Sequence, residues 1–260
     1  MKITHIKKLV FSPTGATQKV VDIIADVWQQ PKDEIDLSNQ NLDFSQYCFT
    51  GHDLCLIAVP TFGGRVPEVA VQHLKMISAL NAPAILIVTY GNRAYDDTLL
   101  ELKEVLDNQG FLCTSAIAAV CEHSIMRQYG LGRPDKLDAM QLTDYAENIR
   151  DILGRVSDIE EVGVPGNFPY REYNGVPLKP KASRNCTKCG ICADKCPVEA
   201  IDKDNPNKTD NKKCISCMRC ITICPQKSRK CNSVILLTAS KKMVKVCSGT
   251  KPNQLFIGKL

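Results

Sequence analysis

Long apolar runs are missing from this sequence. No stretch approaches the roughly 18 residues that a membrane-spanning helix requires, so no membrane span is expected. Met1 to Val10 places Lys2, Lys7 and Lys8 around an apolar run of only Leu9, Val10 and Phe11, too short for the apolar core of a secretory signal. A cytoplasmic chain is therefore expected. Aromatic residues are scarce at 6%, and neither stacked aromatics nor the motif of a nucleic-acid module is present, so the basic residues are not read as a nucleic-acid surface. The phosphate loop GxxxxGK[ST] and the dinucleotide fingerprint GxGxxG are both absent, which argues against nucleoside-triphosphate and pyridine-nucleotide sites. What is present is a chain of 260 residues, 44% hydrophobic and 23% charged. It can fill a core and has the length for one large domain and one small one. Cysteine stands out at fourteen. In a reducing compartment that number points to metal rather than to disulfides.

Charge and cysteine are both uneven. Residues 1–155 hold 14 Lys and Arg against 19 Asp and Glu, whereas 156–260 hold 19 against 9. Between them, Gly163 to Asn185 carries Pro165, Pro169, Pro177 and Pro180, which interrupt any helix or central strand and mark an extended linker. Eight cysteines then fall between 186 and 224. Bound clusters carry negative charge, so part of the basic excess balances metal sites.

The first half alternates strand and helix. Lys2 to Phe11 reads as a strand, and Ala16 to Gln30 follows with Val20, Val21, Ile24, Val27 and Trp28 at helical spacing. Asp53 to Val59 and Ala84 to Thr89 are short, nearly continuous apolar runs, the pattern of strands buried on both faces of a parallel sheet. Helical patterns follow at Val66 to Leu80, Ala94 to Gln109 and Leu137 to Val156, with strands at Phe111 to Val120 and around Asp33 to Leu37. Five strands alternating with helices predict an α/β doubly wound parallel sheet.

Ligands of such sheets sit at the carboxyl ends of the strands. The first of those loops, Ser12-Pro13-Thr14-Gly15-Ala16-Thr17, sets three hydroxyls and a glycine at a helix N-terminus, where unpaired backbone N–H groups can cradle a phosphate. With no lysine in it, the loop suits a monophosphate ester such as that of FMN; an ordinary capped helix start is the alternative. Two further loops favour the cradle. Pro60 to Pro67 (PTFGGRVP) and Tyr90 to Tyr95 (YGNRAY) combine aromatic rings with glycines, which let a backbone approach a flat ring. Over about residues 1–155 this order of loops resembles the flavodoxins, whose T/S-x-T-G-x-T motif matches Ser12 to Thr17. The resemblance implies FMN, its phosphate on Ser12, Thr14, Gly15, Ala16 and Thr17 and its isoalloxazine ring near Thr61, Phe62, Gly63, Gly64, Tyr90, Gly91, Asn92 and Tyr95. His123 and Ser124 follow the last strand and could rim the slot.

The second half carries Cys186-x2-Cys189-x2-Cys192-x3-Cys196-Pro197 and, 28 residues later, Cys214-x2-Cys217-x2-Cys220-x3-Cys224-Pro225. In this run three cysteines ligate one cubane and the fourth reaches across to the other. That assigns Cys186, Cys189, Cys192 and Cys224 to one [4Fe-4S] cluster and Cys214, Cys217, Cys220 and Cys196 to a second. Zinc sites usually pair two CxxC knuckles rather than draw four ligands from one run. The segment resembles a bacterial-type two-cluster ferredoxin over about residues 180–230, with one departure. After Cys196 the chain continues Pro-Val-Glu-Ala-Ile, but after Cys224 it continues Pro-Gln-Lys-Ser-Arg, with Ser228 and Arg229 at small and apolar positions. Cys55, Cys113 and Cys121 read as small hydrophobes in or beside strands, and Cys48, Cys231 and Cys247 lack ligand spacing.

The expected organisation is a flavodoxin-like FMN domain over 1–160, a linker over 161–183, a small α+β two-[4Fe-4S] ferredoxin-like domain over 184–230, and a basic helix and tail over 231–260. Residues 225–260 hold eight Lys and Arg and no acid, so the tail is expected to pack on the acidic first half. As a whole the chain resembles the flavodoxin-ferredoxin fusion proteins of the ferrodoxin family found in anaerobes. That implies an electron carrier relaying electrons between two [4Fe-4S] clusters and FMN, with a protein donor or acceptor as partner. A flavin-dependent reductase of a quinone or other small acceptor is the alternative, and a scaffold with a vestigial flavin site a third. No general acid or base is named by the sequence, so whether the chain is an enzyme stays open.

Overall fold

The computed structural model describes residues 2–155 and 160–259. Its first half runs β1 (His5–Val10), α1 (Ala16–Ala25), β2 (Lys32–Asp36), β3 (Cys48–Thr50), β4 (Asp53–Pro60), α2 (Glu68–Leu74), β5 (Ser78–Leu80), β6 (Ala82–Tyr90), α3 (Thr98–Asp107), β7 (Phe111–Val120) and α4 (Lys136–Arg155). β2, β1, β4, β6 and β7 lie side by side in that order, all parallel. Counted along the chain this is the 2-1-3-4-5 doubly wound order of the flavodoxin-like fold.

The continuous apolar runs explain the arrangement, because β4 and β6 are buried on both faces. Alternate residues serve opposite layers. Ile6, Leu54, Leu56, Ile85 and Ile87 pack with Val20, Ile24, Leu142 and Ile149 of α1 and α4, whereas Leu9, Ile57, Val59, Leu86 and Val88 pack with Leu74, Leu99, Leu102 and Leu106 of α2 and α3. Trp28 is buried in the first of these layers.

Several elements are shorter than their patterns. The pattern over Val66 to Leu80 divides into α2 and β5, because Ser78–Leu80 pairs with β3 as a separate two-stranded ribbon. α3 starts only at Thr98, after Asn92 and Asp96 take left-handed backbone angles. Val156, the last residue expected in the final helix, lies outside the described residues.

The tail adds what periodicity did not reveal. After α7 (Ser233–Cys247), β10 (Gln254–Ile257) pairs antiparallel with β7 and makes a sixth, edge strand beside the five parallel ones. It covers β7, whose N–H and C=O groups would otherwise face outward. The extended segment before the cysteines is held rather than loose. Val162 N donates to Cys113 O at 2.8 Å, and the backbone N–H groups of Asn167 and Arg171 donate to Asp97 at 2.9 and 2.8 Å. Burial pushes the Asp97 carboxyl up, but these donors outweigh it and hold the group below its ordinary value.

The cysteine-rich region comprises β8 (Lys181–Ala182) paired antiparallel with β9 (Arg229–Lys230), α5 (Ile191–Asp194) and α6 (Arg219–Thr222). Its 28-residue repeat recurs in the backbone. Lys188 and Ser216 both have φ 57°, Gly190 and Met218 have φ 80° and 65°, and Glu199 and Lys227 have φ 48° and 49°. Val198 and Ile215 rest on the core of the sheet half. The Arg219 guanidinium donates to Asp36 at 3.3 Å and to the Ser38 hydroxyl, joining the two halves.

Candidate functional site

Two connected cavities open at the carboxyl ends of β1, β4, β6 and β7. The first, about 480 Å³, is lined by Pro13, Thr14, Ala16 and Thr17 from the loop into α1, by Pro60, Thr61 and Phe62 after β4, by Thr89 to Gly91 after β6, and by Cys121 to Ser124 after β7. Above the loop the backbone is poised for an anion. Gly15 is left-handed at φ 89° and a side chain there would meet open space. Among the described residues the amides of Thr14, Gly15, Ala16 and Thr17 have no hydrogen-bond acceptor. The Thr17 hydroxyl lies 2.8 Å from that of Thr89, and Ser12 Oγ accepts from Gln18 N at 2.9 Å, which closes the turn behind the loop. A phosphate fits these free N–H groups and the Thr14 hydroxyl.

The second cavity, about 1040 Å³, shares Thr61, Phe62, Gly91, His123 and Ser124 with the first and extends past Gly63, Gly64, Arg93 and Ala94. Its far walls come from elsewhere in the chain: Val176 to Leu178 of the linker, Ser216 of the cysteine region, and Ala239, Lys242 and Met243 of α7. This is room for a flat ring system beside the phosphate loop. His123 is shared by both cavities. Its Nδ1 lies 3.1 and 3.2 Å from the donating amides of Ile125 and Met126, so its proton sits on Nε2. Burial, and then the charge of Arg93, push its pKa down to about 4, which keeps the imidazole neutral.

The structure brings Thr14, Ala16, Thr17, Thr61, Phe62, Gly63, Gly64, Tyr90 and Gly91 to these walls. Ser12 and Gly15 line neither cavity; one braces the turn and the other supplies its left-handed residue. Asn92 and Tyr95, expected near the ring, line neither and anchor the tail instead. Asn92 Nδ2 donates to Cys247 O at 2.6 Å and Gly249 O at 2.9 Å, and the Tyr95 hydroxyl donates to Gln254 Oε1 at 2.6 Å. Tyr90, on the wall, also donates its hydroxyl to Pro252 O at 2.6 Å. At the Gly-Gly loop the flat ring that approaches Gly63 is Tyr173 of the linker, against which any Cβ would collide. Sequence reasoning missed the linker, Ser216 and the α7 residues. Periodicity and motifs carry no signal for walls supplied from so far along the chain, although the basic, acid-free tail pointed toward the acidic half.

The eight motif cysteines sort into two further cavities. Cys186, Cys189, Cys192 and Cys224 surround one of about 330 Å³, and Cys196, Cys214, Cys217 and Cys220 surround another of about 360 Å³. The fourth cysteine of each run crosses to the partner cavity. Among the described residues no three His, Cys, Asp or Glu side chains close around a single ion; the thiols stand around a larger space. Donors already face the sulfurs, since Ala200 N and Ser228 N donate to Cys196 Sγ and Cys224 Sγ, each at 3.3 Å. The donor set and the spacing fit a cubane in each. Cys217 lines both the inner cysteine cavity and the first cavity of the slot, so the two share a wall residue. Cys189, in the other cavity, is exposed.

Residues 185–228 match the family described as 4Fe-4S dicluster domain. With the 2-1-3-4-5 sheet before it, the chain fits a flavodoxin-ferredoxin fusion. No curated protein matches this chain. Among solved structures, the flavodoxin of Streptococcus pneumonia TIGR4 aligns at 16% identity, over 57% of this chain and 99% of its own, with a TM-score of 0.41. A flavodoxin of Fusobacterium nucleatum bound to flavin mononucleotide aligns at 15%, over 58% and 99%, with a TM-score of 0.37. The rubredoxin oxygen:oxidoreductase of the anaerobe Desulfovibrio gigas aligns at 14%, over 60% of this chain but only 38% of its own, with a TM-score of 0.42. Among the described residues, no helix is long and apolar enough to cross a membrane.

Proposed function

We propose that this fusion is an electron-transfer flavo-iron-sulfur protein, which relays electrons between two [4Fe-4S] clusters and FMN. The observation that carries the reading is the position of Cys217, one side chain common to the flavin slot and a cysteine cavity. A cubane moves single electrons and FMN exchanges one or two, so a shared wall removes a diffusional encounter between them.

The residues divide the work. Thr14, Ala16 and Thr17 with their free amides would hold the FMN phosphate, Thr61 to Gly64, Tyr90 and Gly91 would flank its ring, and neutral His123 offers one Nε2–H donor into the slot. Cys196, Cys214, Cys217 and Cys220 would hold the inner cluster. Cys186, Cys189, Cys192 and Cys224 would hold the outer one, whose ligand Cys189 reaches the surface. Exposed Lys181, Arg184, Lys188, Lys227 and Lys230 stand near that outer edge in sequence or on the β8–β9 pair, which favours an acidic protein as donor or acceptor. Among the described residues no two of the fourteen cysteines are joined in a disulfide, and a reducing, oxygen-poor cytoplasm is the compartment proposed for the chain.

The second cavity, open beside the phosphate loop, favours one other reading, reduction of a small acceptor such as a quinone at the flavin. Anaerobic purification followed by assays of FMN, iron and acid-labile sulfide on one sample tests the composition, with one flavin and two cubanes per chain expected. Reduction of the clusters should then reduce the flavin. A flavin that stays oxidised while the clusters are reduced, at any driving force, refutes the relay. Steady turnover with quinones and no exchange with protein carriers favours the reductase.

A further inference from the structure

The two cysteine runs superpose in backbone angles and in their N–H to Sγ bonds, yet diverge one residue later. Ile201 follows Ala200 beside the inner cavity, and Arg229 follows Ser228 beside the outer one. Both side chains are buried, Ile201 at 4% exposure and Arg229 at 1%, the latter among the largest fully buried side chains of the molecule. Arg229 Nε donates to Cys192 Sγ at 3.2 Å, its Nη1 donates to Thr209 Oγ1 at 2.9 Å, and its Nη2 donates to Pro206 O. Among the described residues no carboxylate pairs with it. A buried guanidinium without a counter-charge is costly, because its desolvation goes uncompensated. A cluster on Cys186, Cys189, Cys192 and Cys224 would set the missing anion against the guanidinium.

We infer that Arg229 is the counter-ion of the outer cluster and sets its electron affinity above that of the inner cluster. The inference rests on the presence of the clusters proposed above. A four-thiolate cubane is anionic in both oxidation states and gains one negative charge when a one-electron donor reduces it. No bond breaks and the guanidinium keeps its protons. A fixed cation with an N–H aimed at a ligand sulfur therefore stabilises the reduced form more than the oxidised one. Ile201, at the equivalent place, offers the inner cluster no donor, and the Arg229 charge reaches that set only through space, at Cys220. The cation makes the exposed cluster the better electron reservoir, and biases the pair toward holding an electron at the outer edge.

The test is an EPR-monitored redox titration of the full chain, purified anaerobically, with iron and sulfide measured on every sample. In Arg229→Met one of the two cluster signals should lose electron affinity by about tenfold, the loss of a hydrogen bond to a charged group, which is 59 mV for a one-electron couple. The other signal should move less, and Arg229→Lys should retain part of the affinity. Full iron with both midpoints unchanged in Arg229→Met overturns the inference. If Arg229→Met cannot hold the outer cluster, Arg229→Gln and Arg229→Lys decide: half the iron lost in both neutral variants but kept in Arg229→Lys supports the counter-ion, whereas equal loss in all three makes Arg229 a packing residue and overturns it. A wild-type protein with flavin but no iron refutes the cluster reading itself, and the inference with it.

Discussion

The two halves of this chain are stabilised by different means. In the sheet half, Ile6, Leu9, Val20, Ile24, Leu54, Ile57, Leu86 and Leu102 are among the many apolar side chains with no exposure, sealed between strands and helices. Between residues 184 and 230 the buried apolar set shrinks to Cys192, Ala193, Ala200, Ile201 and Met218, too small a core to order a domain unaided. Left-handed non-glycine residues such as Lys188, Ser216 and Met218 recur there, and each costs conformational energy. The lesson is that the first half is folded by burial and the second by what its cysteines bind. The slot between them draws walls from both.

Metal removal should break that comparison most visibly. Stripping iron with a chelator under reducing conditions should abolish protection of the amides of 186–230 from hydrogen exchange while those of β4 and β6 stay protected. Uniform loss would mean that the halves are not independent. Next, Cys189→Ala should lose iron and sulfide yet keep FMN, and Thr14→Ala with Thr17→Ala should do the reverse, weakening FMN by about tenfold or more through lost hydrogen bonds to a charged group; flavin and iron content of both proteins check this. A pH series sharpens the contrast further. His123 has a depressed pKa when folded, so the unfolded chain binds its proton first, and the stability it contributes is present above pH ~6.5 and falls away as pH drops toward about 4. The sheet half should lose up to about 3 kcal/mol over that window, and His123→Gln should flatten the loss in a denaturant titration followed by tryptophan fluorescence. Asn92→Ala should cost about 1–3 kcal/mol by leaving Cys247 O and Gly249 O unpaired, read as faster exchange in β10. Asp36→Asn, which breaks a partly exposed ion pair with Arg219, should change stability by about 1 kcal/mol or less.

Much of this architecture was legible beforehand. The apolar runs Asp53 to Val59 and Ala84 to Thr89 announce strands covered on both faces, because only such strands need to be apolar without alternation. The two CxxCxxCxxxCP runs announce, through spacing and the crossing of the fourth cysteine, the groups of four that surround each cysteine cavity. Ser12 to Thr17 reads as an anion cradle because helix N-termini carry free amides wherever they occur. Element ends were less legible. The pattern over Val66 to Leu80 divides because β3, distant in sequence, recruits Ser78–Leu80. Asn92 and Tyr95, expected near the ring, bond their side chains to the tail, a direction that residue type does not carry.

Sequence alone therefore determined the parallel sheet, the loop of free amides at the start of α1 and the paired cysteine runs, since each depends on residue order over a few to a few tens of positions. Only the tertiary structure decided that β10 closes the sheet edge, that Tyr173 covers Gly63, that Cys217 stands between the slot and a cysteine cavity, and that Arg229 is buried against Cys192. Those are contacts between segments far apart in the chain, and they follow from how whole surfaces pack, which no local pattern encodes.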